Sequence, residues 1–378
     1  MSERIRLISD YESGEFGISE LAQQYQVSRK TIYKWLERFE REGWAGLGDR
    51  SRAPEHHPNA MSEQIQLAIL ELKARKPLWG APKLRAKLLE QLEGCPAEST
   101  ISELLRRHGL SHPAKRRRRA TPSQQPLGHC QECNQVWCAD FKGWFRTANG
   151  SKCTPLTISD GYSRYLLCCQ SVEKTVEALT VKPLFIKTFR EYGMPQSMRT
   201  DNGTPFASTG LGGLSSLSVW WVRLGIQLER IEPGCPQQNG RHERMHRTLK
   251  DATAKPPRAS LRAQQRAFDQ FRLEYNQERP HESLEQRPPA TVYTASVRVY
   301  PERLPEPCGY PDEWQKREVR KWGQIKWKGR DISLSAALRG QQVGLKPVGE
   351  ALWAVYFENI ELGIFDERLG RVQRSRKL

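Results

Sequence analysis

Three of the 43 acids in this 378-residue sequence fall where a carboxylate could do chemistry. Asp140 closes QVWCADF, a nearly continuous apolar run of the kind that forms a buried central strand. A charge there is costly unless it is paired or holds a metal. Asp201 follows the short strand-like QSMRT and precedes Asn202-Gly203, a tight-turn pair that leaves its carboxylate at a sheet edge. Glu243 lies in PQQNGRHERMHRTLKDA, helical after a turn-rich approach. Carboxylates from three separate elements can converge on hard cations such as Mg²⁺, which take oxygen ligands and keep waters for a substrate phosphate. On the last element Glu243, His246, Arg247 and Lys250 share one helical face at i, i+3, i+4 and i+7, while Met245, Leu249 and Ala252 form a face that can be buried. Such a helix offers a phosphodiester one metal ligand beside cations.

The elements that must position these acids read as a layered α/β domain over 131–285. CTPLTISD and RYLLCCQ follow the first strand as an antiparallel meander. A helix is expected from about Lys182 to Tyr192, with Pro183 near its start, ending at Gly193. Residues 212–224 and 259–277 are helical in pattern, and GIQLERI reads as a strand.

DFKGWF, RTDNGTPFAS, PQQNGRHERMHRTLK and YNQERPHESL together resemble the DDE transposases of bacterial insertion sequences, relatives of retroviral integrases. The resemblance runs over roughly 10–370 and is most specific from Trp137 to Leu284. It implies a ribonuclease-H-like core with Asp140, Asp201 and Glu243 as the catalytic, metal-binding triad. Lys250 matches the basic residue two helical turns after the glutamate. It further implies two Mg²⁺ (or Mn²⁺) ions per site, with zinc not expected. The 41 residues between Asp201 and Glu243 exceed the family's usual interval, and the surplus falls in STGLGGLSSLSVWW, where it could shift the active-site rim. The zinc-binding His/Cys domain that opens the retroviral relatives has no counterpart here.

Other residues invite weaker readings. Asp160 matches a recurring family aspartate outside the triad and reads as structural. Cys130 and Cys133, beside His129, resemble half a zinc knuckle with no second ligand pair at suitable spacing. Trp220 and Trp221 could stack on unpaired bases, although adjacent tryptophans in an amphipathic helix usually include a core residue. Tyr275, Asn276, Arg279, Pro280 and His281 match a family signature expected to fix the helix–core junction, with Arg279 free to touch phosphate.

The chain carries 60 Lys and Arg against those acids, a formal charge of +17, which favours polyanions through counterion release. No run reaches the roughly 18 apolar residues of a membrane span, and the nine cysteines form no disulfide framework, so a cytoplasmic, nucleoid-associated protein is expected. Residues 1–50 read as a helix-turn-helix domain. Ser28 caps its second helix, Ile32, Trp35, Leu36 and Phe39 point inward, and Arg29, Lys30, Tyr33 and Lys34 face DNA. Residues 60–112 repeat the theme: Ser62 and Ser99 as caps, Pro82 opening a helix, and Arg106 and Arg107 exposed. A basic linker at 113–130 contains Lys115, Arg116, Arg117, Arg118 and Arg119, suited to tracking phosphates. After the core come a proline-bearing linker at 286–315, short strands at 316–370 expected to form a small β-barrel, and a basic tail at 371–378.

The expected protein is therefore multidomain: all-α helix-turn-helix units, an α/β ribonuclease-H-like core and a C-terminal β-barrel. Its expected partners are double-stranded DNA, as element ends and as target, and copies of itself, as a dimer or tetramer on DNA. Its expected task is binding the terminal inverted repeats, then metal-dependent cleavage and strand transfer. Two rivals use the same parts. A transcriptional regulator would carry an inert core with a broken triad. A structure-selective nuclease would need neither two sequence-reading modules nor a C-terminal barrel.

Overall fold

The computed structural model describes residues 2–51, 61–111, 130–172, 177–232 and 240–374, and divides into two units, Met1–Ser62 and Glu63–Leu378. The Lys115–Arg119 run and His129 lie outside the described residues.

The first unit is built by α1 (Ser2–Glu12), α2 (Ile18–Gln24) and α3 (Arg29–Glu42). Leu7, Ile8, Leu21, Ile32, Trp35 and Leu36 close its core, with Phe39 packed at the margin. The Ser28 hydroxyl accepts from the Thr31 N–H at 3.2 Å, the cap the sequence implied. Arg29, Lys30, Tyr33 and Lys34 stand exposed along the opposite face of α3.

The second unit opens with α4 (Glu63–Arg75), α5 (Ala81–Leu89, with Pro82 in its first turn) and α6 (Glu98–Arg107). Ala97, not Ser99, sits at the start of α6, without a side-chain cap. These helices are fastened to the rest of the unit: Lys76 Nζ pairs with Glu278 at 2.7 Å and Glu274 at 3.2 Å.

The central sheet is formed by β1 (Val136–Phe141), β2 (Phe145–Arg146), β3 (Lys152–Asp160), β4 (Leu166–Val172), α7 (Ala178–Tyr192), β5 (Ser197–Thr200), α8 (Ser216–Arg223) and β6 (Gln227–Arg230), in strand order β2-β3-β1-β5-β6 with β4 also on β3. β1 lies between antiparallel β3 and parallel β5. That inner position explains its unbroken apolar stretch, with Trp137 fully buried. α7 begins earlier than its sequence signal, so Pro183 lies inside it. Gly193 follows with φ +76°, and a Cβ there would meet the Ser296 carbonyl at 2.5 Å. That contact is possible because the segment expected to be a linker is instead strapped to the core. The Ser296 N–H donates to the Tyr192 carbonyl, the Met194 N–H to the Arg298 carbonyl, and Tyr293 stacks on Tyr165.

α9 (Gly240–Thr253) and α10 (Leu261–Gln277) cover one face of the sheet through Met245, Leu249, Phe268, Phe271 and Tyr275. Asn276 fixes this layer: its side-chain amide donates to the Leu166 carbonyl at 3.0 Å and accepts from the Leu166 N–H at 2.8 Å.

The C-terminal strands are β7 (Gln315–Glu318), β8 (Gln324–Trp327), β9 (Arg330–Ser333), β10 (Gln342–Gly349), β11 (Leu352–Phe357), β12 (Ile360–Asp366) and β13 (Arg371–Arg374). The expected closed barrel is not what they form. Five make an open antiparallel sheet, β13-β12-β11-β10-β7, and β8 and β9 form a separate hairpin. The edge strands are four residues long and carry Lys316, Arg317, Arg371 and Arg374, which blunt pairing. The hairpin contributes Ile325, Trp327 and Ile332 to the core instead of bonding those edges. Part of the expected tail is thus strand.

The surplus stretch between Asp201 and Glu243 packs into this same core. Leu211, Leu214, Val219 and Val222 join Val343, Val355, Leu362 and Phe365. Arg223 seals the contact, pairing with Glu358 at 3.3 Å and donating to Gln341 at 2.8 Å. The extra residues seat the C-terminal strands. Trp220 and Trp221 are 4% and 1% exposed and lie in the main core, so neither is available for base stacking.

Candidate active site

Asp140 and Asp201 come from neighbouring parallel strands. The β1–β5 register pairs Val136 with Ser197, Trp137 with Met198 and Cys138 with Arg199. The pairing ends there; Asp140 lies two residues beyond Cys138 on β1, and Asp201 two residues beyond Arg199, just past the end of β5. The Asp140 carboxylate accepts from the Phe141 N–H at 2.7 Å. That of Asp201 accepts from the Gly203 N–H at 3.1 Å, while Asn202 donates to the Ile231 carbonyl at 2.7 Å and pins the turn to the end of β6.

α9 lies against β3, the other neighbour of β1, through two buried imidazoles. Thr157 sits opposite Asp140 in the β1–β3 register. Its hydroxyl bonds Nε2 of His242 at 2.6 Å and Nε2 of His246 at 2.7 Å, and donates to the Asp140 carbonyl at 3.2 Å. His246 Nδ1 lies 3.8 Å from the Asp140 carboxylate. Burial pushes His242 down to about 3. Burial, followed by the charges of His242 and Lys142, pushes His246 down to about 2, so both rings are neutral.

His246 therefore does not share the solvent face of Glu243, Arg247 and Lys250, which are exposed on α9. Helical spacing still sets Glu243 next to His246, the side chain that reaches Asp140. Among the described residues, the group able to gather ligand atoms about one ion is Asp140, His242 and His246, whose donors lie within 4.8 Å of one another. Asp201 and Glu243 both stand outside it. Sequence reasoning missed Thr157 and His242; the i, i+4 spacing of His242 with His246 was the available signal, while Thr157 sits in a continuously buried stretch of β3 that gives none.

The other candidates have these surroundings. Asp160 is buried and accepts from the N–H groups of Asn134 and Ser163 and from the Ser163 hydroxyl. Burial raises its pKa against those hydrogen bonds. Cys133 donates to the Val292 carbonyl, and burial raises both its thiol and that of Cys130. Arg279 is half-buried beside Tyr275. Arg106 and Arg107 are exposed but shared by Glu103, at 2.7 and 3.0 Å.

Comparison with known proteins agrees with this architecture. Integrase core domain models match residues 131–236 and 224–289, a helix-turn-helix domain model matches 3–55, and a homeodomain-like model matches 31–105. The chain thus joins DNA-binding helix-turn-helix domains to an integrase core. A 31.7 kDa protein of insertion element IS407 from Burkholderia multivorans is 27% identical over 230 residues, covering 60% of this chain and 79% of the relative. A 39.2 kDa protein of insertion element IS476 from Xanthomonas euvesicatoria is 29% identical over 189 residues, covering 48% and 52%. Among solved structures, the catalytic core domain of HTLV-2 integrase in complex with magnesium matches 43% of this chain and 99% of its own, at 16% identity and a TM-score of 0.35. A chain of the simian T-cell lymphotropic virus intasome matches 78% and 97%, at 16% identity and 0.37. The chain thus carries an integrase-like core and helix-turn-helix domains, and it is similar to proteins of bacterial insertion elements. Among the described residues, no helix is long and apolar enough to cross a membrane.

Proposed function

We propose that this chain is a transposase that binds the terminal inverted repeats of its element and catalyses DNA cleavage and strand transfer through Asp140, Asp201 and Glu243. The observation that supports this reading is the parallel register of β1 and β5, in which Asp140 and Asp201 each follow the last pair, Cys138 and Arg199, by two residues. α9 supports the third position, since its buried face is anchored one residue from Glu243 and one turn beyond it.

The donor set fits divalent cations. The acids offer the oxygen ligands that hard divalent cations take, and His246 Nδ1 lies 3.8 Å from the Asp140 carboxylate. Asp140, Asp201 and Glu243 would hold the ions, Mg²⁺ or Mn²⁺. When bound, such ions lower the pKa of a water or of a DNA 3′-hydroxyl and stabilise the leaving oxygen. Thr157, His242 and His246 fix Asp140 from behind. Arg247 and Lys250, on the exposed side of α9, hold the phosphodiester in line with the carboxylates. Arg29, Lys30, Tyr33 and Lys34 read the repeat in the major groove. Arg106 and Arg107, and the Lys115–Arg119 run, add phosphate contacts that set register and affinity. Joining two element ends requires at least two copies of the chain.

The test is incubation of the protein and Mg²⁺ with labelled DNA from the inverted repeats flanking its gene, together with a target plasmid. Joined products are expected. Cleavage without joining would mark a structure-selective nuclease, and binding without either would mark a regulator.

A further inference from the structure

Four residues beyond Asp140 the chain exposes a tryptophan. Trp144 is 60% exposed, in the short connection between β1 and β2. Gly143, at φ +82°, adopts the left-handed conformation that turns the chain there, which side-chain-bearing residues disfavour. The exposed ring carries cations over it. Arg146 lies 5.8 Å and Lys152 5.5 Å from the ring centroid. A cleft of about 70 Å³ beside the ring is lined by Lys142 and by Lys250 of α9, and by no carboxylate.

The mounting is rigid. Phe145 pairs with Cys153 and Arg146 with Lys152 across β2 and β3. The Lys142 N–H donates to the Pro155 carbonyl at 3.0 Å, and the following turn is held to the α9–α10 connection by Ala148 and Asn149 donating to the carbonyls of Arg258 and Ala259. An aromatic face fixed among four cations, between the strand of Asp140 and the helix of Glu243, matches the chemistry of an unstacked nucleotide. The ring takes the base, and the ammonium and guanidinium groups take the flanking phosphates.

We propose that Trp144 is a stacking platform for an unpaired DNA base next to the reacting phosphate, with Lys142, Arg146, Lys152 and Lys250 holding the backbone on either side. This rests on reading the neighbouring acids as a DNA-processing site, yet it is tested without catalysis. Single-stranded oligonucleotides carrying one 2-aminopurine are titrated with the full-length protein in EDTA, following the quenching of the probe that stacking produces. Trp144→Ala is expected to weaken single-strand binding by roughly 5- to 100-fold and to abolish quenching, and Trp144→Phe to retain most of both. Because the side chain is exposed, the variants should melt as the wild type does. A loss below threefold for Trp144→Ala, or equal losses for Ala and Phe, would overturn the proposal. If the stacking signal depends on Trp144 but no joined DNA forms with Mg²⁺, the reading of the acids fails and the platform stands. If strand transfer is indifferent to Trp144→Ala and no quenching is seen, the acids stand and the platform fails.

Discussion

The imidazole pair under Asp140 makes a buried, neutral nitrogen beside the carboxylate measurable as a pH-dependent stability. His242 and His246 are 3% and 4% exposed and bonded to one hydroxyl, with Ser159, Lys142 and the Asp140 carboxylate as the other polar groups facing them. Their pKa values, about 3 and about 2, lie below the 6.5 of a free imidazole. Between pH 6.5 and about 3 the unfolded chain therefore binds protons that the folded chain refuses, and stability falls as pH falls. Going from pH 7.5 to 5.5 each ring costs about 1.4 kcal/mol, or roughly 3 kcal/mol for the pair. Guanidinium unfolding at the two pH values, for the wild type and for a His242→Gln/His246→Asn variant, reads the difference. His281, also held down to about 3 by burial, is present in both and cancels. The wild type should lose roughly 3 kcal/mol more than the variant on acidification. Equal losses would show that the rings titrate normally, and would remove the argument that a neutral nitrogen faces Asp140.

Other consequences follow from packing and charge. Trp221, 1% exposed against Phe185 and Phe206, should cost about 3–5 kcal/mol when changed to Ala, read by chemical denaturation, whereas a base-stacking role would leave stability unchanged. Replacing Arg223 by Ala should loosen the C-terminal strands, seen as faster amide exchange in β10 and β11, because its pairing with Glu358 is largely buried. Changing Lys30 and Lys34 together to Gln should lower duplex affinity and reduce the slope of log affinity against log salt by about 1.8. An unchanged slope would mean that neither residue meets a phosphate.

What could be read from the sequence divides along physical lines. Asp140 announced itself because a central strand must be apolar on both faces, and a charge at its end stands out. The Asp201 turn was legible because Asn-Gly forces local geometry, and Ser28 because a cap is local too. Non-local facts were not legible. STGLGGLSSLSVWW seats strands more than 100 residues away, and no property of the segment itself names that partner. His246 fits the polar stripe of an amphipathic helix as well as it fits a buried hydrogen bond, and only Thr157 on another element decides between them. The open C-terminal sheet could not be foreseen because short, charged edge strands look the same whether a barrel closes or not. The strap at 293–298 carries too few apolar residues to signal that it is bonded along its length to the core.

The central claim is that Asp201, like Asp140, belongs to the chemistry and not to DNA recognition. Asp201→Asn keeps the shape of the turn and its hydrogen bond from Gly203 while removing the charge. Strand transfer of labelled element-end DNA into a plasmid, measured beside end-binding affinity, separates the two roles. The expected result is affinity within about twofold of wild type and joined product reduced by at least a thousandfold, the order expected when a group acting in the transition state is lost. Full strand transfer by Asp201→Asn would contradict the claim.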